Sequence, residues 1–183
     1  MQNSVGSEGL DAQVSQLFEP LRKMGQGAYG QVWKVRNRKT GAICALKKVF
    51  QAFGNSTSAQ RTYREVRYLQ KISHPNILKL QQVHGSLNQQ DLYMELEWMD
   101  ADLSAALKNK VLLTIHKQFI FYQIVNALHF LHAAQIIHRD VKSANVLINE
   151  ACEVKLCDFG FVRSVGSKEI MTEHVATRWY RAP

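Results

Sequence analysis

The sequence predicts an α+β chain, a small antiparallel sheet with one helix followed by a mainly helical half. Three observations predict it. Residues 21 to 49 hold β-prone runs broken by turn residues, Gly25, Gly27 and Gly30 first and Thr40-Gly41 next. Between Ser58 and Ile72 the apolar spacing changes to the i, i+4, i+7 rhythm of a helix. From Asp102 onward the chain turns helical, and Thr114 to Ala134 carries an apolar face wide enough for a buried helix.

Taken in order, the first 17 residues are polar with Gly and Ser, so 1–17 reads as a flexible leader and order is expected to begin at Phe18. Val32 to Val35 and Ile43 to Phe50 supply the first strands. His74-Pro75-Asn76 stops the helix begun at Ser58, after which Ile77 to Val83 and Leu92 to Glu97 return to strand-like runs. In the long helix, Ile120, Ile124, Ala127, Leu128 and Leu131 share one side, with Phe119 and Tyr122 beside them. Asn145 to Ile148 and Glu153 to Cys157 are short β-prone pieces. There is no internal repeat.

Composition narrows the function classes. Of 183 residues, 46% are apolar and 21% charged, a globular make-up. The 23 Lys plus Arg against 15 Asp plus Glu give +8, but the basic residues are scattered and form no nucleic-acid reading element. The three cysteines, Cys44, Cys152 and Cys157, are not spaced as metal pairs, and a reducing compartment is the simpler reading. His129 and His132 stand one helical turn apart without the further ligands that structural zinc needs. With no apolar run long enough for a bilayer, the expected location is cytoplasmic or nuclear, with no membrane and no nucleic-acid partner.

Four signals carry chemistry. Gly25-Gln26-Gly27-Ala28-Tyr29-Gly30 is a G-x-G-x-x-G turn whose bare backbone lets N–H groups approach phosphate oxygens. A dinucleotide fold needs a helix after the third glycine, whereas Gln31 to Val35 continues as a strand, so a hairpin over phosphate fits better. Ala45-Leu46-Lys47-Lys48 follows in a strand, and alternation alone does not choose between Lys47 and Lys48, because both sides of the strand carry apolar neighbours. Glu65 shares the apolar stripe of its helix with Leu69 and Ile72. A carboxylate there calls for a cation, unless that face looks to water. The fourth signal is His138-Arg139-Asp140-Val141-Lys142-Ser143-Ala144-Asn145 with Asp158-Phe159-Gly160. Phosphoryl transfer wants a carboxylate to orient the nucleophile, a cation on the γ-phosphate and two oxygen ligands for magnesium; Asp140, Lys142, Asn145 and Asp158 supply these parts.

Together these residues resemble the signature set of the eukaryotic protein kinases, from Phe18 to Pro183. The resemblance implies a bilobal kinase-like fold, an N-lobe at 18–99 and an incomplete C-lobe at 100–183, with ATP and Mg2+ as cofactors. It implies that Lys47 holds the α- and β-phosphates and pairs with Glu65, under the turn Gly25, Gln26, Gly27, Ala28, Tyr29 and Gly30. Asp140 is then the catalytic base, Lys142 neutralises the transferring group, and Asn145 and Asp158 hold magnesium. Val32, Ala45 and Leu147 sandwich the adenine, Leu96 stands as gatekeeper, and the backbone of Glu97 and Met99 receives the adenine edge. His138 is a packed structural residue.

The tail from Thr172 to Pro183 is similar to the activation segment of mitogen-activated protein kinases, with Thr172-Glu173-His174 where those have Thr-x-Tyr. Ala59 to Glu65 and Trp98 to Leu103 are similar to the atypical extracellular-signal-regulated branch. This implies a proline-directed Ser/Thr kinase acting on protein Ser/Thr-Pro sites. It is switched by phosphate on Thr172 that gathers Arg64, Arg139 and Arg163, whether an upstream kinase or autophosphorylation places it. Since His174 cannot take the tyrosine's place, a single-site switch is expected. The resemblance stops at Pro183, before the glutamate that closes the Ala-Pro-Glu motif, so the rest of the large lobe is expected to be missing from this chain. The competing expectation is a catalytically silent fragment that binds nucleotide or a partner.

Overall fold

The structure is a computed structural model, and it describes residues 9–27 and 30–166. Contacts divide it into two compact units: the chain up to Thr62 with Lys79–Trp98, and Tyr63–Leu78 with the chain from Met99.

The first unit is built on a five-stranded antiparallel sheet. Helix α1 (Ala12–Leu17) leads into β1 (Phe18–Gly27), β2 (Gly30–Asn37) and β3 (Ile43–Val49); β4 (Leu80–Gly85) and β5 (Leu92–Glu97) follow helix α2 (Ser56–Lys71). The spatial order is β1-β2-β3-β5-β4. Alternation along β2 and β3 puts Gln31, Trp33 and Val35 with Cys44, Leu46 and Lys48 on the buried face. Val14 and Phe18 close over that face, and with Trp33, Val35, Cys44, Leu46 and Tyr93 they form its core.

Order therefore begins before Phe18. The leader expected at 1–17 is helical from Ala12 and buries Val14 completely. Its polar composition hides this, because a short strap needs few apolar anchors. Each such anchor contributes about 1.5–3 kcal/mol when buried. Beneath the strap, Glu95 is a buried carboxylate that accepts from Asn37 Nδ2 at 3.0 Å and from the Cys44 thiol at 3.7 Å. His84 Nε2 lies 3.5 Å from it without hydrogen-bond geometry. Burial, with the Glu95 charge, pushes the Cys44 thiol up to about 12, so it stays protonated.

The second unit carries β6 (Ala101–Asp102), helix α3 (Leu103–Lys108), helix α4 (Thr114–Ala133), β7 (Ile136–Ile137), β8 (Val146–Ile148), β9 (Val154–Leu156) and β10 (Arg163–Ser164). Strands β6, β8 and β9 form one sheet, and β7 pairs with β10. The Asp102 side chain caps α3 by accepting from the Ala105 N–H at 2.9 Å. Residues 63–78 pack with this unit, which moves the division away from the single expected break at residue 99. The reason is local hydrogen bonding: Leu156 N–H donates to Asn76 O and Leu78 N–H to Leu156 O.

Helix α4 buries Ile120, Gln123, Ala127 and Leu131. Ile124 and Leu128 are half-buried, and Phe119 and Tyr122 are exposed. Among the described residues, no helix is long and apolar enough to cross a membrane.

Candidate functional site

Each unit carries part of the predicted set. In the first, Gly25 pairs with Val32, Gln26 with Gln31 and Gly27 with Gly30, so the glycine-rich turn closes the β1–β2 hairpin as expected. Ala28 and Tyr29 at its tip lie outside the described residues. Gly30 is required by space: a β-carbon there would overlap the carbonyl oxygen of Lys48 on the neighbouring strand. Val32 pairs with Lys47, Lys34 with Ala45, and Lys47 with Met94.

Burial separates the two lysines. Lys48 turns to the covered face, where its ammonium meets Asp11 at 3.1 Å and Asp91 at 3.4 Å. Tyr93 lies beneath it, the ring centroid 5.1 Å away. Desolvation opposes the charge on Lys48, yet the Tyr93 and Asp11 contacts raise its pKa above the ordinary lysine value. Lys47 consequently points to the opposite face, shared with Val32, Ala45, Met94 and Leu96. Leu96, the expected gatekeeper, is buried, and the Glu97 N–H donates to the Lys79 carbonyl at 3.1 Å.

In the second unit the His138–Asn145 loop folds around one carboxylate. Lys142 Nζ donates to Asp140 Oδ2 at 2.8 Å, and Asn145 Nδ2 donates to the same oxygen at 2.8 Å and to the Asp140 carbonyl at 2.8 Å. Asp140 and Asn145 are buried. A short 3-10 turn at Ser143–Asn145 places the amide, and the Cys157 N–H donating to Asn145 O at 2.9 Å joins this loop to the Asp158 segment.

His138 is packed as expected, its ring edge-on to Phe159 at 5.1 Å. Both of its nitrogens serve the backbone: Nε2 meets Cys157 O at 3.0 Å and Nδ1 accepts from the Asp140 N–H at 3.3 Å. Burial holds its pKa below the ordinary histidine value, so the ring is the neutral Nε2–H tautomer and takes no proton-transfer role. Asp158 adopts the left-handed region at φ 62°, a conformation that costs a non-glycine residue about 1 kcal/mol or more and that aspartate tolerates better than most. The carboxylate of Asp158 and the side-chain oxygen of Asn145 are hard donors that suit magnesium, and His138, committed to the backbone, adds no softer ligand.

Three guanidinium groups gather nearby in the same unit. Arg139 Nε donates to Phe161 O at 2.7 Å and Arg64 donates to Gly160 O at 3.4 Å. Burial first, then the charges of Arg163 and Arg64, lower the Arg139 pKa below the ordinary arginine value. Arg139 Nη1 is buried with no hydrogen-bond partner among the described residues. The cluster thus favours an anion. Thr172 and His174 lie outside the described residues. Glu65 is buried on α2 with Thr62 and Leu69, on the stripe its spacing predicted. Met99 is buried, and Leu147 pairs with Asp102 and Lys155 in the β6-β8-β9 sheet.

Sequence reasoning missed Gln123. It accepts from Asn76 Nδ2 at 2.9 Å and from the Val154 N–H at 3.0 Å, and donates to Cys152 O at 2.8 Å. The available signal was an amide at helical spacing between Ile120 and Ala127. Asp11, Asp91 and Tyr93 around Lys48 were also missed, since nothing local links residues so far apart.

Comparison with known proteins adds an independent line. The protein kinase domain model matches residues 18–183. Extracellular signal-regulated kinase 2 of Dictyostelium discoideum is 47% identical over 98% of this chain and 51% of its own length. Mitogen-activated protein kinase 15 of Rattus norvegicus is 48% identical over 95% of the chain and 33% of its own length. Extracellular signal-regulated kinase 7 of Drosophila melanogaster is 45% identical over 95% of the chain and 20% of its own length. The chain spans about half, or less, of the curated relatives it matches.

Proposed function

The chain belongs to the protein kinase family, and from that premise we propose that its protein is a Ser/Thr kinase of the mitogen-activated type, transferring the γ-phosphoryl group of Mg-ATP to Ser/Thr-Pro sites. The observation that carries the reading is the Asp140 carboxylate, held at 2.8 Å by both Lys142 and Asn145. A carboxylate pinned in this way orients a substrate hydroxyl and accepts its proton as the phosphoryl group leaves. Lys142, beside that oxygen, offsets charge on the transferring group.

Asn145 and Asp158 would hold magnesium through oxygen, and the metal would neutralise the phosphate oxygens. Lys47, on the strand face away from the Lys48 knot, would hold the α- and β-phosphates, with Glu65 as its carboxylate partner. The hairpin of Gly25, Gln26, Gly27, Ala28, Tyr29 and Gly30 would cover those phosphates with backbone N–H groups. Val32, Ala45 and Leu147 would face the adenine. The Glu97 N–H is committed to Lys79, so Glu97 would meet the adenine edge through its carbonyl and Met99 through its own backbone.

Regulation follows from the arginine cluster. Phosphate on Thr172 would bring an anion to Arg139, which among the described residues is crowded by Arg64 and Arg163. An upstream kinase or the enzyme itself would place it. Cytoplasm or nucleus is the proposed location, with protein substrates as partners.

The test is transfer of labelled γ-phosphate from Mg-ATP to a Ser-Pro peptide by the full-length protein and its Asp140→Asn form. Loss of the base is expected to lower kcat about 10²–10⁴-fold. Equal incorporation by the two proteins would reject the assignment of Asp140.

A further inference from the structure

The strap at residues 9–17 is fastened to the sheet by charge as well as by apolar packing, and the fastening point is one residue from Lys47. Lys48 Nζ donates to Gly9 O at 3.3 Å and to Asp11 Oδ1 at 3.1 Å, and it keeps Asp91 at 3.4 Å. Only 10% of the Lys48 side chain and 14% of that of Asp11 remain exposed, so their pairing is shielded from water.

Asp11 is held from several sides. Its carboxylate accepts from the Ser86 hydroxyl, from the Leu87 N–H at 2.8 Å and from the Tyr93 hydroxyl at 3.1 Å. The side chain stands where an N-cap would, but it does not cap α1 and is spent wholly on this knot. Asp91 in turn accepts from the Gln51 N–H at 2.8 Å and from Asn88 Nδ2 at 2.9 Å. Through Asp11 and Asp91, one ammonium therefore ties together the strap, strand β3, Gln51 just beyond it and the β4–β5 turn.

Two residues of the knot, Gly9 and Lys48, also border the base of the glycine-rich hairpin. Gln31, the residue after Gly30, is buried and sits cross-strand from Lys48. Gly9 lies against Gln31 and Trp33, with room for a β-carbon only 3.3 Å from Gln31 Oε1. Gly30 rests on the Lys48 backbone so closely that no side chain fits between them. The hairpin base at Gly30 thus rests on the backbone of Lys48, the neighbour of Lys47, and the side chain of Lys48 is the centre of the knot.

We propose that Asp11 and Lys48 are positioning residues for the nucleotide, the strap setting, through Lys48, where Lys47 and the Gly25–Gly30 hairpin stand. This rests on the reading that Lys47 and the hairpin hold ATP phosphates. Residues on opposite faces of one strand share its backbone, so a displacement at Lys48 moves Lys47 with it. A shift of about 1 Å in a positioned group costs up to about a hundredfold in rate or affinity.

The experiment uses the full-length protein and its Asp11→Asn, Lys48→Met, Lys48→Arg and Val35→Ala forms. Steady-state kinetics with varied ATP and calorimetric binding of Mg-ATP are measured well below each melting temperature. Asp11→Asn and Lys48→Met are expected to raise KM for ATP about tenfold with kcat within about twofold, and Lys48→Arg is expected to recover most of the loss. Val35→Ala, in the same core but away from the knot, is expected to lower the melting temperature and leave KM unchanged. Should Lys48→Met not fold, Asp11→Asn decides the matter. Unchanged KM in Asp11→Asn, or an equal rise in Val35→Ala, overturns the inference while leaving the kinase reading intact. If the unsubstituted protein gives no heat with Mg-ATP, the kinase reading falls and this inference with it.

Discussion

Replacing Gln123 with leucine tests how the loop that carries Asp158 is held. The substitution keeps the side-chain volume close, so the cost is polar rather than a cavity. Two buried groups lose a partner: the Val154 N–H, whose acceptor at 3.0 Å disappears, and Asn76 Nδ2, which keeps only the Val154 carbonyl at 3.0 Å; the half-buried Cys152 carbonyl loses its donor at 2.8 Å but lies closer to water. Each such loss costs about 1–3 kcal/mol, and burying the leucine returns about 1–2 kcal/mol. The net expectation is a loss of about 2–3 kcal/mol. Urea unfolding should show a lower midpoint at unchanged slope, and the Val154 amide should exchange faster in native-state hydrogen exchange. A loss below about 1 kcal/mol with Val154 protection intact would show that the Asn76–Gln123–Val154 joint does not carry the β8–β9 hairpin.

Two further outcomes follow from the first unit. Gly30→Ala pushes a β-carbon into the Lys48 carbonyl, so the β2–β3 pairing must open at that end; thermal melting should show a loss of about 1–3 kcal/mol, and an unchanged melt would contradict the close approach. Asp11 adds a pH dependence. Desolvation would raise its pKa, but the Ser86, Leu87, Lys48 and Tyr93 bonds lower it from 3.8 to about 2. A depressed carboxylate contributes stability above its unfolded value and loses it as pH falls through the folded one. The stability gap between the protein and its Asp11→Asn form should therefore shrink by up to about 2 kcal/mol from pH 5 to pH 2, as denaturant unfolding at each pH would show. A gap that does not change with pH would remove the carboxylate from the knot.

The sequence alone determined most of the elements and the local contacts within the His138–Asn145 loop. Period-2 patterns located β2, β3 and β5 to within a few residues; β4 begins at Leu80 where the strand-like run began at Ile77, and β1, which starts at Phe18, was covered only by the general β-prone stretch from residue 21. The spacing of Glu65 and Leu69 placed both on the buried side of α2. Within His138–Asn145 the interacting groups are two and five residues apart, so local geometry sufficed to bring Lys142 and Asn145 onto Asp140.

Only the tertiary structure could decide which lysine faces inward, because both faces of β3 are flanked by apolar residues and strand alternation is symmetric between them. What broke the symmetry was Asp11, 37 positions away in sequence, together with Asp91. The same holds for the buried Gln123 and for α1. A polar residue or a polar segment goes inside when its hydrogen bonds or ion pairs are met there, and those partners come from parts of the chain that no local window contains.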